Sequence, residues 1–149
     1  MKHAFAGFAL AALAALPLAA QAQFAKVEDA VKYRQSAFAL MGAHMGRIGA
    51  VVKGEQPYDK AAVETDAAII EMMSRLPWHA FPAGSETNSR ARPEIWREQD
   101  KFKGLSEKMQ AEVQKLSVAA RGGDLAQIRS AMGAVGQSCR ACHDNFRAR

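Results

Sequence analysis

The chain has 149 residues, with 20 Lys and Arg against 15 Asp and Glu. That length holds a domain with a sizeable core. The charge is scattered, with no basic block and no aromatic interleaving, so there is no nucleic-acid footprint.

Met1-Lys2-His3 is a short basic start, and Ala4 to Ala20 is apolar and rich in Ala and Leu. Ala20-Gln21-Ala22 is a small-residue cleavage site. The run therefore reads as a secretory signal over residues 1–22 rather than a membrane anchor, with Gln23 opening the mature chain. In a bacterium this means export to the periplasm. No later apolar run is long enough to span a bilayer. Loss of Lys2 leaves 19 basic and 15 acidic residues in a single domain, 23–149.

Strand signals are absent and helical periodicity is strong. The first helix is expected from Val27 to Val52, with Val27, Val31, Arg34, Phe38, Met41, Met45, Ile48 and Val52 inward. Those steps alternate three and four, the spacing of a bundle seam. Gly54 and Pro57 end it. The second helix starts on an Asp59 cap, turns Val63, Ile70, Met73 and Leu76 inward, and stops at Pro77.

An irregular segment with two aromatics, Trp78 and Phe81, follows to Arg92. Long loops in compact domains are often functional. Pro93 suits the first position of a third helix. Its inward row is Ile95, Gln99, Phe102, Ser106, Met109, Val113, Leu116 and Ala120, ending at Gly122-Gly123. A fourth helix opens on Asp124 with Gln127 three residues on, a capping-box-like pair. Leu125, Ile128, Met132, Val135, Cys139, Cys142 and Phe146 form its inward row. The short connections favour antiparallel neighbours, and the expected fold is an all-α, up-down-up-down four-helix bundle.

Cys139-Arg140-Ala141-Cys142-His143 is a C-x-x-C-H run, the attachment pattern of a c-type haem. On a helix these three functional positions are i, i+3 and i+4, so they project from one side. Two thioethers to the porphyrin and an axial bond from His143 follow from that pattern. A thioredoxin-like dithiol would need a nearby βαβ pattern, which is missing. A zinc site would need a second ligand pair. A disulfide is poorly served by i, i+3 cysteines on a helix. The reading is one haem c per chain, inside the bundle and against the first helix.

Four stretches in this order resemble the cytochrome c′ family: Tyr33-Arg34-Gln35-Ser36, Leu76-Pro77-Trp78, Arg92-Pro93-Glu94-Ile95-Trp96, and Cys139 to His143. The resemblance spans the mature chain. It implies a periplasmic, usually homodimeric bundle with a five-coordinate iron. Such proteins bind NO, and often CO, behind an apolar distal face; electron transfer is their other proposed role. The low-spin relatives carry a ligating Met four residues after the first-helix Arg. Here that position is Phe38, which cannot ligate iron and is expected to guard an open site.

Met41 and Met45 lie further along the same face; core packing is their expected role and ligation the alternative. Arg34 is a charge on an inward row and needs a partner, for which a haem propionate is the expectation. Gln35 is placed on the same propionate side, and Arg147 on the proximal side by the resemblance. Glu86, Thr87 and Ser89 are the loop candidates for the haem edge. His44 and Asp144 are expected on the surface, and His79 in solvent. Small residues Ala39, Gly42, Ala43, Gly46, Gly49 and Ala50 would let another helix approach, from within the chain or from a second copy. NO and CO are the expected ligands. An electron carrier with a sixth protein ligand and an unknown redox partner is the alternative. Peroxidase-like enzymology would need distal acid–base groups, and none is legible.

Overall fold

A computed structural model describes residues 23–149; the signal segment 1–22 lies outside the described residues. Five helices follow in order: α1 Val27–Lys53, α2 Lys60–Met73, a single turn α3 Glu94–Arg97, α4 Gln99–Gly122 and α5 Leu125–Phe146. The four long ones form the bundle. Each lies beside two others in the ring α1–α2–α4–α5, and the α1–α5 seam is the sparsest.

The ends are set by local chemistry. Gly54 at φ 80° turns α1 off, its N–H bonding the carbonyls of Ala50 and Val51. Asp59 accepts from the backbone N–H groups of Ala61 and Ala62, and Asp124 from those of Ala126 and Gln127. Both aspartates cap as expected, but the Gln127 amide donates to the Asp124 carboxylate at 3.1 Å, so the pair does not close a capping box. α2 stops three residues earlier than its Pro suggests. Ser74 turns its hydroxyl back onto Glu71 O at 2.7 Å, a bond that competes with helix continuation. Pro77 then begins a 3₁₀ turn, Pro77–His79, instead of ending a helix.

The expected third helix is broken. Glu98 adopts φ −116°, ψ 50°, which separates α3 from α4. The break resets the helical phase, so Gln99 faces water while Ser106, Met109, Val113, Leu116 and Ala120 are buried. The core joins Ile48 of α1, Val63 and Ile70 of α2, Val113 and Leu116 of α4, and Ile128 and Val135 of α5, all essentially removed from water. Burial of each such aliphatic side chain contributes about 1.5–3 kcal/mol.

The segment between α2 and α3 closes one end of the bundle, and it is fastened to the far end of the chain. Arg92 N–H donates to Phe146 O at 3.0 Å, and Ala148 N–H to Arg90 O at 2.8 Å. Between them Ala91 and Arg147 form an antiparallel bridge.

Candidate functional site

On α5, Cys139 and Cys142 are half-buried, unpaired thiols one turn apart, and His143 stands exposed beside them. Burial pushes the Cys142 thiol up to about 11, with Cys139 adding to the shift, and burial pushes Cys139 up as well. Reactive dithiols show the opposite, a depressed value that favours the thiolate. Among the described residues no group of three or more His, Cys, Asp or Glu side chains gathers as a metal cluster. The imidazole of His143 is held below its usual value by burial first, then by the Arg147 charge, with Arg90 adding and Asp144 opposing. A neutral imidazole is the form that ligates a metal. Arg147, exposed just past α5, thus lies within electrostatic reach of His143, and its N–H bonds His143 O at 3.1 Å.

Across the sparse seam, α1 offers an apolar wall. Phe38 and Met45 are half-buried, Met41 is buried, and all three pack with Cys139 against one core. This donor set fits a flat apolar group held by two thioethers: paired thiols on one side of a helix, in one core with Phe38, Met41 and Met45.

Phe38 is not alone there. Its ring meets Trp78 edge-on at 5.7 Å. Trp78 meets Phe102 at 5.7 Å, and Phe102 meets both Phe81 at 5.0 Å and Phe146 at 5.3 Å. Such edge-to-face pairs add about 0.5–1.5 kcal/mol each beyond area burial. Trp78 Nε1 donates to Ser74 O at 2.6 Å, and Trp96 Nε1 reaches the carbonyls of Phe81 and Pro82 at 3.1 Å. The two indoles therefore fix both ends of the aromatic segment.

Arg34 is buried, 2 % exposed, and its observed partners are in the loop. Nη1 donates to Ala80 O at 2.8 Å and to Ser85 Oγ at 2.7 Å. Nη2 donates to Ser85 O and to Ser89 Oγ, the latter at 3.0 Å. The guanidinium also lies 4.3 Å from the centre of the Phe81 ring. All four acceptors are neutral, and desolvation lowers the Arg34 pKa. Gly84, at φ 81°, makes the turn that presents Ser85 to it. Gln35 is exposed and donates to Asn88 O at 3.3 Å.

Of the loop candidates, Ser89 joins the Arg34 cluster, while Glu86 and Thr87 are exposed. Ser85 and Ala80 were not singled out in the sequence. An arginine on an inward row signals that acceptors must come to it, but not from where. The expectation that His44 is a surface residue is corrected: it is half-buried and bonded to Asp66 of α2, because α2 covers that side of α1. His79 is exposed, as expected; its ring stacks on Phe24 at 5.9 Å and is tilted against Tyr33 at 5.4 Å.

The sequence profile of the family described as cytochrome C′ matches residues 29–147. Cytochrome c′ of Alcaligenes xylosoxydans xylosoxydans is 51% identical over 125 residues, 84% of this chain and 98% of that protein. That of Rubrivivax gelatinosus is 39% identical, over 84% and 98%. Two solved structures from Alcaligenes xylosoxidans superpose with TM-score 0.81 at 50% identity: the nitric oxide complex of a leucine-to-alanine variant, and a carbon-monoxide-bound leucine-to-glycine variant. Each comparison covers 85% of this chain, and 99% and 100% of theirs. The chain therefore belongs to the cytochrome c′ family, whose cofactor is covalently attached haem c.

Proposed function

We propose that the mature chain is a periplasmic haem protein whose iron is five-coordinate and takes NO or CO on the side guarded by Phe38. Cys139 and Cys142 would hold the haem by thioethers, and His143 would supply the imidazole that ligates its iron. When bound, haem supplies the metal centre to which a diatomic ligand attaches. What the chain's own residues do is exclude water and hold that centre's surroundings apolar.

The observation that carries this reading is Phe38, a side chain with no lone pair on the inner row of α1, kept there by Trp78. The NO and CO complexes of the Alcaligenes relatives support the choice of ligands. Met41 is buried among core residues, which supports a packing role over ligation. A phenyl ring has no proton to give, so we read the protein as a binder and carrier rather than an enzyme. Arg34 and Gln35 brace the loop, which on this reading lies on the propionate side, and the Arg147 charge acts on His143, which would put it on the proximal side.

A homodimer is part of this reading. Ala39, Gly42, Ala43 and Gly46 are exposed along α1, and nothing lies within 4 Å of where a Cβ would stand on Gly42 or Gly46. The stripe thus lacks an intramolecular partner among the described residues, and an open groove runs beside it between α1 and α2. Electron transfer is the second reading. Arg90, Arg140 and Arg147 are exposed and form no ion pair among the described residues. They surround the C-x-x-C-H end, where a redox partner could dock. Among the described residues no helix is long and apolar enough to cross a membrane.

The test is the optical spectrum of the purified protein, ferric and reduced, before and after NO. A high-spin spectrum that shifts with NO is expected. A low-spin spectrum indifferent to NO would mean that a second protein ligand holds the iron.

A further inference from the structure

Two α1 residues one turn apart grip the same loop in different ways. Arg34 bonds the backbone of Ala80 and both oxygens of Ser85. Phe38 touches Trp78, which lies in the 3₁₀ turn that Ala80 caps. Ala80 N–H in turn bonds Pro77 O at 3.0 Å. The result is a closed ring: Arg34 to Ala80, along the turn to Trp78, across to Phe38, and back along the helix. Phe38 cannot swing toward the loop unless Trp78 gives way, and Trp78 sits on a turn that Arg34 holds.

The grip is strong by its chemistry. A guanidinium with neutral acceptors in a dry site loses much if any of them is removed, because the charge stays buried. Ser85 itself is fully buried, and among the described residues its hydroxyl has no partner besides Arg34.

We propose that Arg34 is a positioning residue for the distal gas site, which sets how readily Phe38 yields to an incoming diatomic ligand by clasping Ala80 and Ser85. The proposal rests on the gas-binding reading above. It assigns Arg34 a role in kinetics that a contact with a haem side chain would not require.

The test uses the haem-loaded protein and CO as the probe. Ser85→Ala removes one acceptor with little volume change, and Arg34→Gln removes the charge. Two quantities are measured: amide hydrogen exchange at Ala80 and Ser85 without gas, and CO association after flash photolysis. Ser85→Ala is expected to speed exchange at both amides and CO association by about tenfold. In a Phe38→Ala background the same change should leave CO association within about twofold, because the gate is already gone. Arg34→Gln should exceed Ser85→Ala in both readouts.

Faster exchange with unchanged CO association would overturn the proposal while leaving gas binding intact. Unchanged exchange in Ser85→Ala would overturn it too, since the clasp would then not hold the loop. Equal effects of Ser85→Ala with and without Phe38 would show a general loosening, and also overturn it. A parent protein that takes up no CO would sink the gas-binding reading, an outcome separate from all of these.

Discussion

His44 of α1 and Asp66 of α2 meet at 2.6 Å, with side chains only 12% and 11% exposed. Asp66 is also 3.5 Å from Arg47, whose own side chain is in water. One carboxylate thus joins two helices at the edge of the α1–α2 groove. Asp66→Ala leaves the half-buried imidazole without its partner, and should cost about 2 kcal/mol. Urea unfolding checks it; a midpoint equal to the parent's would mean that the bond contributes nothing.

Phe38 packs against the core and Trp78, and is proposed to guard the gas site. Phe38→Ala should lower stability by about 2 kcal/mol, less than a fully buried phenylalanine would. It should also raise CO affinity, read by titration of the reduced protein. Phe38→Met offers a thioether where the low-spin relatives have theirs, and should turn the spectrum low-spin.

Cys139→Ala with Cys142→Ala removes both proposed thioethers. Haem should then be extractable by acidified acetone, whereas each single variant should keep it attached. Retention of haem in the double variant would contradict the proposed attachment.

Asp124 is held below the usual carboxylate range by the N–H groups of Gln127 and Ala126 and by the Gln127 side chain. A depressed carboxyl stabilises the fold above its unfolded-state value, and that contribution is lost as pH falls through the folded value. Asp124→Asn keeps a cap but not the charge. Thermal melts of parent and variant should differ at neutral pH and converge in acid, below the ordinary aspartate range. A gap that persists at low pH would place the effect elsewhere.

Gly46→Glu puts a charge on the exposed small-residue stripe, at a position where a Cβ meets nothing within 4 Å. If the proposed dimer uses this face, sedimentation should show a folded monomer for the variant and a dimer for the parent. A variant with the parent's mass would remove this face from the interface.

The inner rows of the long helices were readable because burial repeats every three or four residues. Val31, Arg34, Met41 and Ile48 on α1 are buried as that spacing demands. The caps at Asp59 and Asp124 were readable because each cap and the N–H groups that donate to it are neighbours in sequence. What escaped is non-local. Arg34 and Ser85 are 51 residues apart, and His44 and Asp66 are 22 apart. No periodicity encodes such pairs. The break at Glu98 escaped for another reason: the apolar spacing on either side is compatible with one continuous helix.

The pairing of residues 90–92 with 146–148 imposes an order on biogenesis. Arg90 and its acceptor Ala148 are 58 positions apart, and the cysteines precede that acceptor. The loop therefore cannot be latched until the last residues of the chain are present, and a chain cut short after His143 would keep the C-x-x-C-H run but leave residues 90–92 unfastened.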